Sequence, residues 1–468
     1  MSFWHVDQPG DRIACIDDQT GRVWTYGDLL SQVEHCKRAL LQGWSKRLAL
    51  VLCQNSLESL VAYLSALQLR DAVILLDGTL APQIVEKVVS KYAPDWIFAA
   101  TGEWHFPLYR PTASDLNGFL FLRETPRERL IYSDLALLLS TSGSTGSPKL
   151  VRLSYESVAA NAASIAEYLC LNHDERPITT LPMPYAYGLS VINSHLQMGA
   201  AILLTNRSVT QREFWNFFNE EGASSLAGVP YTYQMLLRMG LLKKNLPSLR
   251  TLTQAGGRLD PHYIEEIHAI ASQKGWRFFV MYGQTEATAR ISYVSPEQLA
   301  SKIGSIGRAI AGGKMTVDPN SDELIYRGPN VMLGYAESEA DLRKGDELRG
   351  ELHTGDLGKQ DEDGFFYITG RMKRFLKSFG RRLNLDEIEA TLQQKTGQAV
   401  ACFGDDDKMF VALQNTTWKT AVIEILSGMY GLHRSTYRVL CIEAIPHTVR
   451  GKIDYPALVQ NLSNRAAL

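Results

Sequence analysis

Residues 139–151 read LSTSGSTGSPKLV, a loop of serine, threonine and glycine that follows an apolar segment and ends in a lysine. The apolar segment, residues 134–139, predicts a buried strand. A loop with so little side-chain bulk can turn its backbone N–H groups and hydroxyls inward around an anion, and Gly143 and Gly146 allow the backbone angles this needs. The stretch therefore predicts a phosphate-binding loop, with Lys149 adding a positive charge at its rim.

Two other interpretations of this loop are weaker. A flexible serine–glycine linker is not expected between an apolar strand and the amphipathic helix that begins near Tyr155. A Walker A loop requires Gly-Lys-Ser/Thr, whereas Gly146 is followed by Ser147 and Lys149 by Leu150. The residues predicted to contact the phosphates are Thr141, Ser142, Gly143, Ser144, Thr145, Gly146 and Lys149.

Length and composition indicate a multidomain globular protein. At 468 residues the chain is too long for one ordinary core, so two or three domains are expected. The formal net charge of −2 gives no electrostatic sign of nucleic-acid binding or of attraction to anionic membranes. We expect no signal peptide, no membrane span and, because the six cysteines are scattered, no zinc site; a reducing, cytoplasmic location fits.

Upstream of the loop, strand-like and helix-like segments alternate. The predicted strands are residues 47–53, 72–77 and 96–100, and the predicted helices are residues 56–69, which Ser56 caps, and 82–91. Strands that alternate with helices of this length predict a parallel sheet built from βαβ units.

A second motif reads RFFVMYGQTEAT, residues 277–288. An apolar strand here runs into Tyr282, which can stack on a purine, and Gly283, which lets the backbone pass close to a ligand. Thr285 offers a hydroxyl to a phosphate, and Glu286 offers a carboxylate to Mg²⁺, which prefers oxygen ligands. Gln284 completes the predicted nucleotide-contacting set.

Two further segments contribute nucleotide-site candidates. Residues 249–257 predict a strand that ends in a glycine turn, and Gly256, Gly257 and Arg258 are candidates to border the adenine, because ligands collect beyond the carboxyl ends of strands. In HTGDL, Asp356 sits in a predicted turn and can accept hydrogen bonds from both ribose hydroxyls, while Arg371 can reach ribose or phosphate. A local cap is the plainer interpretation of one aspartate in a turn.

Taken in order, these motifs resemble those of the adenylate-forming superfamily, which includes acyl-CoA synthetases, amino-acid adenylation domains and firefly-type luciferases. The resemblance runs from Trp24 to Lys452. It implies a large N-terminal α/β domain of parallel-sheet subdomains with a small β subdomain, residues 1–372, and a small mobile α+β C-terminal domain, residues 373–468. It departs from the usual pattern at Arg70, Leu75, Leu150, Tyr185 and Tyr455, none of which removes a catalytic group.

The resemblance also assigns roles in the C-terminal part. Lys373 falls at the hinge position, Gly380 approaches the thiol acceptor, and Lys452 is the lysine that swings over the active site for adenylation. The signature GPNVMLGY, residues 328–335, is interpreted as structural.

The acid pocket is implied to lie along residues 181–204, where a plain core segment is an equally good interpretation. Amino-acid-activating relatives carry an aspartate after the aromatic residue here, whereas this chain has Tyr185 followed by Ala186. A buried ammonium without a partner is costly, so the substrate is predicted to lack an α-amino group. The pocket candidates are Tyr185, Ala186, Tyr187, Gly188 and Tyr231, whose aromatic members favour a small or medium acid.

The implied activity is activation of a small carboxylic acid by ATP and Mg²⁺ to an acyl-adenylate with release of pyrophosphate. A thiol then accepts the acyl group, and this thiol belongs either to coenzyme A or to the phosphopantetheine of a separate acyl carrier protein. Two alternatives remain: a non-catalytic AMP- or ATP-binding scaffold, which would not need Lys452, and luciferase-like oxidation of the adenylate, which nothing specific supports.

Overall fold

The computed structural model describes residues 2–466 apart from 41–44, 103, 113–116, 126, 141–148, 373–374, 379–380, 405–407, 431 and 449–451. The loop residues Thr141 to Gly146 and the predicted hinge residues Lys373 and Gly380 therefore lie outside the described residues. Among the described helices, none combines the length and the apolar character that a membrane crossing requires.

The strands of the described residues are β1 (Ile13–Asp17), β2 (Val23–Thr25), β3 (Leu48–Cys53), β4 (Ala72–Asp77), β5 (Trp96–Ala99), β6 (Tyr109–Thr112), β7 (Phe119–Arg123), β8 (Leu135–Ser140), β9 (Leu150–Ser154), β10 (Pro177–Ile178), β11 (Ile202–Leu204), β12 (Ser225–Gly228), β13 (Thr251–Gln254), β14 (Arg277–Tyr282), β15 (Ser292–Val294), β16 (Arg308–Ala309), β17 (Lys314–Val317), β18 (Glu323–Arg327), β19 (Gly334–Ala336), β20 (Glu351–Gln360), β21 (Phe366–Arg371), β22 (Phe375–Ser378), β23 (Arg381–Asn384), β24 (Val400–Gly404), β25 (Met409–Leu413) and β26 (Tyr437–Cys441).

The helices are α1 (Tyr26–Leu40), α2 (Leu57–Gln68), α3 (Pro82–Tyr92), α4 (Tyr155–Tyr168), α5 (Ala186–Gln197), α6 (Arg212–Glu220), α7 (Pro230–Arg238), α8 (Pro261–Lys274), α9 (Pro296–Leu299), α10 (Leu385–Thr396), α11 (Lys419–Gly428) and α12 (Tyr455–Ala466).

The chain divides into two compact units, residues 1–314 with 326–352 and residues 315–325 with 353–468. The second unit thus takes in residues 315–325 and 353–372, which the sequence analysis assigned to the N-terminal domain, because the strands there pack with their own neighbours. The predicted domain boundary at residue 373 marks the proposed hinge of the C-terminal domain, and it stays a prediction.

One sheet of the first unit has the strand order β19-β9-β8-β4-β3-β5-β7-β6. Its centre is parallel, and all six residues of β3 are buried, as expected for a strand covered on both faces. Its two edges are antiparallel: β7 pairs with β5, and β9 turns back along β8. The predicted parallel βαβ core is present, and the antiparallel edges add to it.

The second sheet of this unit has the order β16-β15-β14-β13-β12-β10-β11-β1-β2. Strands β10 to β14 are parallel, so their carboxyl ends meet at one edge of the sheet. The predicted glycine turn after β13 and the Tyr282–Glu286 motif after β14 both lie at this edge. Helix α4 begins after Ser154, which forms a capping box with Ser157, and packs with α5 along this sheet.

In the second unit, the sheet order is β17-β18-β20-β21, with a two-stranded hairpin β22-β23 and a three-stranded sheet β24-β25-β26. Leu392, Val411 and Leu426 are fully buried and join α10, β25 and α11 into one core. The predicted α+β character of the C-terminal region is confirmed.

Candidate functional site

The Tyr282–Glu286 motif forms the loop that follows β14. Tyr282 is the last residue of the strand, and Thr285 to Ala287 form a single 3-10 turn. Gly283 is required there because a Cβ atom at this position would overlap the carbonyl group of Ala289. Thr288 adopts a positive φ of 63°. Such backbone strain persists only where the surroundings hold it, and it is concentrated at functional sites.

The surroundings that hold this loop come from residues 328–335, the segment interpreted as structural from its sequence. The buried amide of Asn330 donates from Nδ2 to the carbonyl oxygens of Ala287 at 2.9 Å and Arg290 at 2.8 Å. The Thr288 hydroxyl donates to the Asn330 carbonyl at 2.7 Å, and the Met332 N–H donates to the Glu286 carbonyl at 2.9 Å. The signature GPNVMLGY therefore braces the motif loop.

Tyr335, the last residue of that signature, touches the predicted metal ligand directly. Its hydroxyl donates to Oε1 of Glu286 at 2.9 Å. Burial, and then the Glu286 carboxylate, raise the pKa of Tyr335, so the hydroxyl keeps its proton as a donor. Lys149 lies 3.7 Å from the centre of the Tyr335 ring, and its Nζ is 3.4 Å from Oε1 of Glu337. Lys149, which closes the predicted phosphate loop, and Glu286 therefore both contact Tyr335.

The geometry around Glu286 fits a magnesium ion held together with phosphates. The hydrogen bond from Tyr335 engages Oε1, and Oε2 has no hydrogen-bond partner among the described residues. Mg²⁺ in nucleotide sites uses one or two carboxylates and takes its other ligands from water and substrate phosphates. The described residues contain no group of three or more His, Cys, Asp or Glu side chains that could hold a metal without such help.

The predicted adenine border lies one strand away, after β13. Gly256 adopts a φ of +83°, and a Cβ atom there would come within 2.5 Å of the Tyr185 hydroxyl oxygen. The turn is stabilised by Gln254, whose Nε2 donates to the Gly257 carbonyl at 2.9 Å. Gly257 and Arg258 are exposed at this edge. Gly256 and Tyr185, predicted as parts of two different subsites, are therefore neighbours.

Helix α5 carries most of the predicted acid pocket. Ala186, Tyr187 and Gly188 form its first turn and are buried, and Gly188 lies so close to the Pro182 carbonyl that a Cβ atom would overlap it. The Tyr187 hydroxyl donates to the Thr253 carbonyl at 2.8 Å. Tyr231, in contrast, is half exposed at the start of α7.

A small cavity between α4, α5 and the sheet is lined in part by Tyr187, Ser190, His195, Thr253, Met281 and Arg290. Only Tyr187 among these was a predicted pocket residue. Arg290 and His195 were missed, although an arginine four residues after Glu286, in the otherwise small and apolar stretch ATARIS, is a signal that could have drawn attention to it.

The ribose candidates lie in the second unit. Asp356 is buried, and Nε of Arg371 donates to its Oδ1 at 2.8 Å across the β20–β21 pair. The predicted turn at Asp356 is wrong, because Asp356 lies within strand β20, where it pairs with Arg371 of β21. The residue before it, Gly355, has a φ of +72°. The buried carboxylate of Glu323 accepts from the Gly355 N–H at 2.9 Å and was not predicted.

Lys452 follows residues outside the description, and its own backbone is held by Thr448. The Thr448 N–H donates to the Lys452 carbonyl at 2.7 Å, and the Lys452 N–H donates to the Thr448 hydroxyl at 3.3 Å. Tyr455, which departs from the family pattern, donates its hydroxyl to Oε1 of Glu389 at 2.9 Å. This contact joins the start of α12, three residues after Lys452, to α10.

Comparison with known proteins identifies the family. A profile described as AMP-binding enzyme matches residues 2–336. The chain belongs to the AMP-binding enzyme family. It is 29% identical over 353 residues to an indoleacetate–CoA ligase of Aromatoleum aromaticum, covering 70% of this chain and 68% of the relative. It is 30% identical over 294 residues to a 2-succinylbenzoate–CoA ligase of Bacillus licheniformis, covering 61% and 60%.

A carrier-protein ligase is also among the relatives. The L-proline–[L-prolyl-carrier protein] ligase of Pseudomonas fluorescens is 27% identical over 354 residues, covering 70% of this chain and 69% of the relative. In fold, the enzyme matches o-succinylbenzoate CoA synthetase of Bacillus subtilis, crystallised with its acyl-adenylate intermediate, at a TM-score of 0.76 and 21% identity over 98% of both chains.

These findings confirm the predicted superfamily, the fold class and the class of enzyme, an AMP-forming acid–thiol ligase; nothing in them favours the non-catalytic scaffold. Relatives of this family use ATP, a carboxylic acid and a thiol acceptor. The roles of individual residues in this enzyme stay predictions.

Proposed function

We propose that this enzyme uses Mg–ATP to convert a carboxylic acid into its acyl-adenylate and then transfers the acyl group to a thiol. The observation that carries the proposal is the contact between Tyr335 and Glu286, at a hydrogen-bond length of 2.9 Å, beside Lys149. It joins the two nucleotide motifs, which lie far apart in sequence, at the carboxyl edge of the parallel strands, where α/β sheets bind ligands.

In the first step, a carboxylate oxygen of the acid attacks the α-phosphorus of ATP, and the bond to pyrophosphate breaks. Residues 141–148 and Lys149 hold the β- and γ-phosphates, and Thr285 holds the α-phosphate. Glu286 holds Mg²⁺, which when bound neutralises charge on the phosphate oxygens. The reaction requires positioning and charge stabilisation more than covalent help from the protein.

The rest of the nucleotide contacts the residues at the two neighbouring strand ends of the first unit. Tyr282 stacks on the adenine, Gly256 leaves room beside it, and Gly257, Arg258, Gly283 and Gln284 complete the border. Asp356 accepts hydrogen bonds from the ribose hydroxyls. The 2.8 Å ion pair with Arg371 orients the Asp356 carboxylate for this role.

Lys452 acts in the first step, where its ammonium group bridges the acid carboxylate and the nucleotide. In the second step, the sulfur of the thiol attacks the acyl carbonyl, AMP leaves and the thiol proton is released. The family resemblance implies that rotation about Lys373 then removes Lys452 from the site. It also implies that Gly380 approaches the thiol. Lys373 and Gly380 lie outside the described residues.

The acid is proposed to lack an α-amino group and to be of small or medium size. Ala186 is buried at the start of α5, and it has no charge to balance an ammonium ion. The named relatives act on acids as different as indoleacetate, 2-succinylbenzoate and L-proline and transfer to coenzyme A or to a carrier protein. They therefore support the reaction class and leave both the acid and the acceptor open.

The test is pyrophosphate release from Mg–ATP across aryl, short-chain, medium-chain and long-chain acids and amino acids. Wild type and Lys452→Ala are compared, first without a thiol and then with coenzyme A. We expect an acid-dependent signal that falls about 10²–10³-fold in the variant, the typical cost of losing one transition-state contact. A further rise with coenzyme A would identify that acceptor, and no rise would favour a carrier protein. Nucleotide binding without turnover on any acid would contradict the proposal.

A further inference from the structure

Arg290 is a buried arginine that has no carboxylate partner among the described residues. Its side chain is 2% exposed. Nε donates to the Tyr168 hydroxyl at 3.0 Å, Nη2 donates to the Ser190 hydroxyl at 3.4 Å, and the guanidinium lies 4.6 Å from the centre of the Tyr187 ring. All three partners are neutral. Among the described residues, no Asp or Glu forms an ion pair with Arg290.

Arg152 shows how a buried guanidinium is otherwise stabilised in this protein. It is fully buried, and it pairs with the carboxylate of Glu347 and donates to the main-chain carbonyls of Tyr335 and Gly345. Removing the partner of a buried charge is strongly destabilising. By the same reasoning, the binding of an anion to the unpaired guanidinium of Arg290 should stabilise the protein.

The cavity beside Arg290 has a second polar group without a partner. His195 is 3% exposed, its Nδ1 hydrogen-bonds the Val191 carbonyl at 2.7 Å, and its Nε2 is buried with no hydrogen-bond partner. A buried polar atom that lacks a partner requires an explanation, such as a ligand or an ordered water. Ser190 and Thr253 add hydroxyl groups to the lining. A hydrocarbon tail would leave His195 Nε2 without a hydrogen-bond partner and the charge of Arg290 without a counter-ion.

We propose that the acid activated by this enzyme carries a second anionic group, a carboxylate or a sulfonate, and that Arg290 binds it. The inference rests on the proposed function and specifies the substrate class of the same site. Met281 and Thr253, in the lining, belong to the strands whose ends carry Tyr282 and Gly256. A dianionic acid thus places its reactive carboxylate toward the nucleotide residues and its distal anion on Arg290.

The experiment measures acid-dependent exchange of labelled pyrophosphate into ATP with matched pairs of acids: succinate and butyrate, glutarate and pentanoate, phthalate and benzoate. A fourth pair, 3-sulfopropionate and butyrate, separates sulfonate from carboxylate binding. Wild type is compared with Arg290→Gln and Arg290→Lys. Arg238→Gln, which removes an exposed arginine from α7, is the matched control.

We expect wild type to favour the doubly charged member of at least one pair by about 10²-fold or more in kcat/KM. An acid that lacks the second anionic group leaves the buried guanidinium of Arg290 unpaired. Arg290→Gln should abolish this preference, Arg290→Lys should keep part of it, and Arg238→Gln should keep all of it. If Arg290→Gln does not fold, the wild-type ratios decide alone.

Exchange that favours the singly charged acids, or a preference unchanged in a folded Arg290→Gln, would overturn the inference while leaving adenylation standing. Absence of exchange with every acid of the panel, together with the broader panel above, would overturn the proposed function and this inference with it.

Discussion

The hydroxyl of Tyr335 lies 2.9 Å from Oε1 of Glu286, although 48 residues separate the two in sequence. The antiparallel pairing of β19 with β9, in which Tyr335 stands opposite Val151, places the tyrosine where Lys149 also reaches it. Groups that orient a metal ligand contribute strongly to metal affinity. Tyr335 is therefore a positioning residue for the proposed magnesium site.

Replacing Tyr335 by Phe should weaken the magnesium dependence of the reaction without unfolding the protein. The ring stays under Lys149, and only the hydrogen bond to Glu286 is lost. We expect the Mg²⁺ concentration for half-maximal pyrophosphate release to rise about 10- to 100-fold, with a smaller change in KM for the acid. Tyr263→Phe on α8 is the control. A Tyr335→Phe enzyme with an unchanged Mg²⁺ titration would refute the positioning role.

Replacing Asp356 by Asn should raise KM for ATP about 10-fold or more, because a charge-assisted hydrogen bond to ribose becomes a neutral one. The substitution keeps the size of this buried side chain, so the β20–β21 pair is retained. Calorimetric titration with AMP checks the binding directly, and Asp363→Asn in the nearby exposed turn is the comparison. Equal AMP affinity in wild type and Asp356→Asn would exclude the ribose role.

Lowering the pH should destabilise the first unit through His195. Burial lowers the pKa of His195 to about 4, below its ordinary value of 6.5. Between these two pKa values the imidazole of His195 binds a proton in the unfolded chain and not in the folded chain. The contribution of His195 to stability is therefore constant above pH 6.5 and falls as the pH drops from 6.5 to about 4. The full loss is about 3 kcal/mol.

Thermal unfolding measured from pH 7.5 to pH 4 tests this expectation. His195→Gln has no proton to gain, so its unfolding temperature should decline less steeply in that window than that of wild type. His262→Gln, an exposed position on α8, should follow wild type. Parallel curves for His195→Gln and wild type would mean that the buried imidazole does not control the acid response.

Replacing Gly283 by Ala should displace the motif loop. The added methyl group would overlap the Ala289 carbonyl, which is main chain and cannot rotate away. We expect loss of ATP binding and a lower unfolding temperature. Gly428→Ala in α11, where a Cβ atom meets nothing within 4 Å, should instead be neutral or gain about 0.5–1 kcal/mol. Full activity in Gly283→Ala would show that the loop tolerates a different backbone path.

Local signals were sufficient for much of the fold. Strand β4 has the predicted bounds and helix α4 begins at the predicted residue, because an apolar run and a serine cap are encoded within a few residues. Strand β9 was not predicted. Its identity as a strand depends on pairing with β8 and β19, and the latter begins 180 residues after β9 ends.

The site shows the same division. Glu286 and Asp356 stand in recognisable motifs, and so they were found from sequence. Tyr335, Glu323 and Arg290 act through neighbours that only tertiary structure supplies. The arginine in particular is ordinary in sequence and becomes informative only when burial and the absence of an ion-pair partner among the described residues are known.

The buried amide of Asn330 holds the carbonyls of Ala287 and Arg290 at once. One side chain thus ties the main chain that follows Glu286 to the main chain that carries Arg290. Under the proposed roles, this tie fixes where the main chain of Arg290 stands relative to the nucleotide motif, and so it contributes to the length of acid that the site accepts, independently of the charge of the acid. Selection for a longer or shorter substrate would then act on the main chain of residues 283–291 and on Asn330 as well as on the pocket side chains.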